Sequence, residues 1–140
     1  MPEQKEEKWR DIHNDHIVRV TYRDTDQMNV VYYANYLVWF EMGRTELLRQ
    51  TGHTYNEFEN MGYALPVIRC VSEYKKPARY DDLIRIWTRI SHLSHASIIF
   101  GYQILDDKTG EIMAEGETRH AVITKEGRIA GAGHILEQWF

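Results

Sequence analysis

Tyr22-Arg23-Asp24-Thr25-Asp26-Gln27-Met28-Asn29-Val30-Val31-Tyr32-Tyr33-Ala34-Asn35-Tyr36 joins two different periodicities. From Ile17 to Arg23 the chain alternates: Val18, Val20 and Tyr22 share one face, and Arg19, Thr21 and Arg23 share the other. That pattern predicts a half-buried strand. Beyond the quoted stretch, Tyr33, Tyr36, Phe40, Gly43 and Leu47 recur at helical spacing, with Leu37, Arg44 and Leu48 alongside. Asn35 is placed to cap this helix near its start, and Gly52 to end it. Between strand and helix lies a polar turn carrying two carboxylates, Asp24 and Asp26. An acid beside the positive end of a helix could serve a reaction that passes through an anionic intermediate. Such a centre requires no metal, thiol or phosphate loop.

Working outward, the helix is long and more apolar than a surface helix, so a sheet is expected to wrap it. A linker holding Tyr55, Phe58 and Met61 follows, then an extended stretch from Tyr63 to Pro77. Pro66 and Pro77 make that stretch an edge or bent strand, because proline cannot donate to a central ladder. Further strands are predicted over Leu83–Ile90, Ile98–Leu105 and Ile112–Thr124. Asp106-Asp107-Lys108-Thr109-Gly110 reads as a hairpin connection and Lys125-Glu126-Gly127-Arg128 as a turn. The partly apolar C-terminal segment from Ile129 to Phe140 is expected to dock as a short helix or strand. One strand, one long helix and four strands on short connections make an α+β layout: one antiparallel sheet around one central helix. Residues 1–14 are charged and are expected to be a loose arm, pinned in part by Trp9, with residues 15–140 as a single domain. The edge strands are left free to pair with another subunit.

Composition narrows the function. A length of 140 residues fits one domain, and 43% hydrophobic residues can supply a core. A net charge of -4 with interspersed signs gives no field for nucleic acid. The single cysteine, Cys70, excludes an intrachain disulfide and multi-cysteine zinc patterns, and its apolar surroundings suggest a buried, inert thiol. The seven histidines are scattered without a ligand-like third partner, so no metal site and no cofactor are expected. No apolar stretch reaches membrane-spanning length, and the charged first residues are no secretory signal. A cytoplasmic location is the expectation.

Arg23-Asp24-Thr25-Asp26, Val30-Val31-Tyr32-Tyr33-Ala34-Asn35-Tyr36-Leu37, then Phe40-Glu41 and Arg44, resemble the hot-dog-fold 4-hydroxybenzoyl-CoA thioesterase family and its YbgC-like acyl-CoA thioesterases. The stretch Val71 to Asp82 and the strand order extend the resemblance over most of the chain. It implies a hot-dog fold, the long helix wrapped by the sheet. It implies a homodimer joined sheet edge to sheet edge, assembled further into a homotetramer, with active sites at the dimer interface. The family's catalytic aspartate falls on Asp26, and its oxyanion-holding backbone N–H falls on Tyr33. Where relatives usually carry glycine this chain has Asn29, the residue that best tolerates a left-handed backbone, and its side chain adds polarity near the thioester.

The chemistry follows from these roles. A thioester carbonyl is electrophilic and a thiolate leaves readily, so hydrolysis needs an oxygen nucleophile and oxyanion stabilisation. Asp26 can attack directly, giving a mixed anhydride, or deprotonate a water. Asp24 is assigned to orienting the turn or pairing with a cation. Glu41 and Glu46 on the helix are alternative acids. Glu41, three residues from Arg44, is expected to form an intrahelical ion pair, and Glu46 to be exposed. CoA carries three phosphates, and by position in the family pattern Ser94, His95 and Ser97 of one hairpin and Arg128 of the later turn are its candidate contacts. Lys75, Lys76 and Arg79 are secondary ones. The competing readings are a non-catalytic acyl-CoA-binding module and a hot-dog dehydratase or hydratase. The latter would need a histidine, and none lies between Asp24 and Tyr36.

Overall fold

The structure, a computed structural model, describes residues 7–140. Strand β1 (His13–Arg19) leads through a 3-10 turn (Tyr22–Asp24) and an irregular loop into helix α1 (Asn35–Arg49). Helix α2 (Tyr55–Asn60), the short strand β2 (Tyr63–Ala64) and strand β3 (Val67–Tyr74) follow. The chain continues through β4 (Leu83–Leu93), β5 (Ser97–Asp106), β6 (Ile112–Ala121), the short β7 (Ile123–Thr124) and α3 (Gly133–Trp139). Five strands form one antiparallel sheet in the order β1-β4-β5-β6-β3, and β2 pairs with β7 beside it. The edges of the large sheet are β1 and β3.

Alternation drives the sheet onto the helix. Ile84, Ile86, Thr88 and Ile90 of β4, and Ile98, Phe100, Tyr102 and Ile104 of β5, are all buried. From α1, Tyr36, Trp39, Phe40, Gly43, Leu47 and Leu48 face them. Phe40 is fully buried and stacks on Tyr102, with ring centroids 4.3 Å apart. Burying one such ring is worth about 1.5–3 kcal/mol. Gly43 marks the closest approach: a Cβ there would lie 2.2 Å from Thr88 Oγ1.

Several expectations shift. The predicted start of the fold at residue 15 moves earlier, because Lys8–Asp11 forms a 3-10 turn that buries Trp9, and β1 begins at His13. Residues 1–6 of the expected loose arm lie outside the described residues. The first strand ends at Arg19 rather than Arg23, since Asp24 pulls the chain into a turn. The linker around Phe58 is a helix, capped by Thr54 Oγ1 accepting from Glu57 N–H at 3.1 Å, and Phe58 is fully buried. Asn35 is the first helical residue and not a side-chain cap. Cys70 is exposed on the free edge of β3, although what burial its sulfur has still raises the thiol pKa against the opposing influence of Arg44. The C-terminal segment docks as a helix, with Trp139 stacked on His53 at 4.3 Å.

Candidate active site

The loop between β1 and α1 is built by Asp24. One of its carboxylate oxygens accepts from Thr21 N–H (2.8 Å) and Thr21 Oγ1 (2.9 Å), and the other accepts from Asn35 Nδ2 (2.8 Å). Its carbonyl accepts from Tyr32 N–H at 2.9 Å. Asp24 is therefore a structural acid, as expected, and its partners are neutral donors rather than a cation. Asp26 closes the tip of the loop: its N–H donates to Val30 O (2.9 Å), and its carbonyl accepts from Asn29 N–H (3.1 Å). Asn29 sits at φ 64°, the left-handed conformation for which asparagine is suited. Val31 N–H donates to Ala78 O at 2.8 Å and ties the loop to the segment between β3 and β4.

Asp26 itself is half-buried and differently engaged. Oδ1 accepts from Met28 N–H at 2.8 Å, whereas Oδ2 has no hydrogen-bond partner among the described residues. It lines an open cleft of about 310 Å³ with Val30, Val31, Tyr33, Tyr36 and Tyr74, and with Lys75 to Pro77 along one rim. Tyr33 precedes α1, and its N–H has no acceptor among the described residues. Its carbonyl accepts from Tyr74 Oη at 2.8 Å, and Tyr74 packs edge-on against Tyr36. Tyr36 Oη in turn accepts from Ala78 N–H at 3.4 Å, and burial raises the phenol's pKa, so it stays protonated. Tyr74 and Tyr36 thus brace the start of α1. In the sequence, Tyr74 is marked only by its place in the family-like stretch Val71–Asp82.

The four residues expected to hold CoA lie elsewhere in the chain. Ser94 and Ser97 close the β4–β5 hairpin with their own hydroxyls, 3.2 Å apart, and Ser94 Oγ accepts from Ser97 N–H at 3.2 Å. His95 is exposed at the tip, and its carbonyl accepts from Gly133 N–H at 3.1 Å. Arg128 is exposed on the turn after β7, where Thr124 N–H donates to its carbonyl at 2.8 Å. Ala96 O accepts from Val122 N–H at 2.9 Å, which joins these two loops into one surface. That surface is at the far end of β4 from Asp26, whose loop meets the sheet near Ala78 and Asp82. Ten residues of strand separate the two ends by roughly 30 Å. Lys75 and Lys76, the secondary candidates, are each ion-paired, to Glu73 at 3.4 Å and to Glu111.

The expected Glu41–Arg44 pair is not formed. Arg44 turns inward, and Nη1 donates to Tyr102 Oη at 3.5 Å. Glu46 is half-buried and pairs with Arg49 at 2.6 Å. Neither helix acid lines the cleft of Asp26. Among the described residues no group of three or more metal-binding side chains is found, and no helix is long and apolar enough to cross a membrane.

Comparison with known proteins places this geometry. A model of the thioesterase-like superfamily matches residues 20–137. The chain belongs to this superfamily. The thioesterase-like chain is 37% identical over 109 residues to YneP of Bacillus subtilis (strain 168), which spans 78% of each protein. It is also 37% identical over 89 residues to the acyl-CoA thioester hydrolase YbgC of Escherichia coli O157:H7, covering 64% of this chain and 66% of that one. Among solved structures it is similar to the DHNA-CoA thioesterase of Staphylococcus aureus, with a TM-score of 0.84, 26% identity, and coverage of 91% of this chain and 85% of that one. The architecture is the hot-dog fold of these thioesterases, and the enzyme class is thioester hydrolase.

Proposed function

We propose that this protein hydrolyses an acyl-CoA thioester to the free acid and CoA, with Asp26 as nucleophile or general base and the Tyr33 N–H as oxyanion donor. The observation that supports this reading best is that two residues lining one cleft each carry a group without a hydrogen-bond partner among the described residues: a carboxylate oxygen on Asp26 and the backbone N–H of Tyr33. Attack at the carbonyl carbon moves negative charge onto its oxygen, where the Tyr33 N–H and the start of α1 meet it. The C–S bond then breaks and the thiolate leaves. If Asp26 has attacked directly, water hydrolyses the resulting anhydride and frees the carboxylate; if Asp26 has taken a proton from the attacking water, the acid forms without a covalent enzyme intermediate and that proton passes to the thiolate or to solvent. Asn29, exposed and left-handed at the loop tip, lies outside the cleft lining, and in this reading its amide meets the part of the substrate that extends beyond the cleft.

The active unit in this reading is a homodimer, paired again into a homotetramer in the cytoplasm. The free β3 edge, with Val67 46% and Ile68 58% exposed, is the surface offered for pairing. Antiparallel pairing of β3 with its copy sets the Tyr74 end of one strand beside the Val67 end of the other. It thereby turns the hairpin and Arg128 surface of one subunit toward the Asp26 cleft of its partner. Ser94, His95, Ser97 and Arg128 then contact CoA in trans, which accounts for their place at the far end of β4 from the Asp26 loop within one chain. A dehydratase reading is disfavoured because no histidine lines the Asp26 cleft. Release of free thiol from a panel of aliphatic and aromatic acyl-CoAs tests the proposal. Turnover of at least one class is expected; binding without thiol release would instead identify an acyl-CoA-binding module.

A further inference from the structure

We propose that Glu41 and Arg44 form two reciprocal ion pairs at the centre of the homodimer, Glu41 of each subunit meeting Arg44 of the other. This rests on the dimeric reading above and adds the polar contact that sets its register.

The two residues stand three apart on α1, a spacing at which opposite charges pair. Glu46 and Arg49 do so on the same helix, at 2.6 Å. Glu41 and Arg44 do not, and among the described residues neither takes part in any other ion pair. The reason lies in the direction of Arg44, whose guanidinium is half-buried and points across α1 toward Tyr102. Tyr102 Oη and Thr118 Oγ1 are 2.5 Å apart, Thr118 Oγ1 and His120 Nε2 are 2.8 Å apart, and His120 Nδ1 meets Leu65 O at 2.9 Å.

Because arginine only donates and a carbonyl only accepts, the chain of bonds has one polarity. Arg44 donates to Tyr102, Tyr102 to Thr118, Thr118 to His120 Nε2, and His120 Nδ1–H to Leu65. This uses one of the five guanidinium N–H donors. Others face a cleft of about 120 Å³ whose wall includes Glu41, Thr45 and Leu48. The uncompensated charge is felt by its surroundings: Arg44 acts to lower the pKa of His120, Tyr102 and Cys70 alike. A half-buried guanidinium that has spare donors on a cleft, and no carboxylate partner among the described residues, is a site that an anion from a second subunit can complete.

Position identifies that anion. Thr118 pairs with Cys70 in the β3–β6 ladder, and Cys70 is near the middle of β3. A two-fold axis that pairs β3 with itself passes through the middle of the strand. Arg44, reaching toward Thr118, lies near that axis, and Glu41 stands one turn away on the same cleft wall. In an isologous contact residue i meets j while j meets i, so one unmatched acid and one unmatched base per subunit satisfy each other twice. The apolar side chains of Leu37 and Val38, exposed on α1, flank the charges and are buried by the same contact.

The test is the dimer dissociation constant of the full-length protein, by sedimentation velocity, for the wild type, Glu41→Arg, Arg44→Glu and the double exchange. Each single change sets like charges face to face, and dissociation is expected to rise at least about tenfold. The double exchange is expected to recover the wild-type value within a few-fold. Glu41→Gln, which introduces no new charge, is expected to weaken the dimer less than Glu41→Arg, and this comparison decides the matter if Arg44→Glu fails to fold. A wild-type dimer unaffected by Glu41→Arg overturns the pairing and leaves the dimeric reading intact; a monomeric wild type overturns both. An Arg44→Gln protein that stays fully dimeric but loses affinity for acyl-CoAs bearing an anionic acyl end would overturn it too, by showing that Arg44 serves the ligand.

Discussion

The Asp24 carboxylate accepts from Thr21 N–H, Thr21 Oγ1 and Asn35 Nδ2, and so ties the residue that opens the 3-10 turn, the turn itself and the first residue of α1 together. Asp24→Ala releases all three donors. Charged hydrogen bonds of this kind contribute about 1.5–3 kcal/mol each in favourable cases, and partial solvation of the loop reduces the sum. A loss of about 2–3 kcal/mol in urea unfolding is expected, together with a fall in turnover, because the same bonds hold the loop that carries Asp26. Unchanged stability would show that the turn is held by its backbone bonds alone. Asn29 makes a gentler prediction: at φ 64° glycine adopts the same backbone without strain, so Asn29→Gly should keep stability within about 0.5 kcal/mol and report only on what the amide does for the substrate. The two acids were legible in the sequence because turn chemistry is local, and the left-handed position through the glycine that the family resemblance implies there. The structural role of Asp24 had no local signal, since Asn35 and Tyr32 fold back onto it from later in the chain.

Helix α1 packs on the sheet through Gly43, where a Cβ would fall 2.2 Å from Thr88 Oγ1 and 2.7 Å from Ile86 Cγ2. Both neighbours are fully buried in the central strand β4 and have little room to retreat. Gly43→Ala should raise helix propensity slightly, yet cost about 1–3 kcal/mol overall through overpacking. A thermal midpoint at or above that of the wild type would contradict the close helix–sheet contact. The 3.6-residue period that revealed α1 and the two-residue period that revealed β4 and β5 are long enough to read without a structure. Helix α2 escaped because its six residues, Tyr55–Asn60, are too few to show a period, although Thr54 followed three residues later by Glu57 is a capping pattern. The end of β1 is hidden in the sequence for a related reason: alternation persists through Tyr22 and Arg23, but Asp24 captures the backbone into a turn that alternation does not encode.

At the scale of the molecule, the buried polar chain from Arg44 to Leu65 makes stability depend on pH. His120 is 2% exposed, and burial lowers its pKa to about 4, assisted by the Arg44 charge and opposed by the bond to Leu65 O. The unfolded chain takes up a proton near pH 6.5 while the folded one does not, so the unfolded state binds more protons between these values. His120 therefore contributes stability that is complete above about pH 6.5 and is lost as pH falls toward 4, on the order of 3 kcal/mol in all. Urea midpoints across that range should fall more steeply for the wild type than for His120→Asn, and parallel slopes would contradict the assignment. No local pattern revealed this network, because Arg44, Tyr102, Thr118 and His120 come from three different elements. For the same reason the sequence could name Ser94, His95, Ser97 and Arg128 only by analogy, and the fold separates them from Asp26 within one chain. The most direct test of the whole arrangement is the rate of CoA thiol release by the assembled protein and by Asp26→Asn matched to it in assembly state and thermal midpoint. A fall of about two to four orders of magnitude is expected on a substrate that the wild type turns over; an Asp26→Asn rate within a few-fold of the wild type would contradict the account.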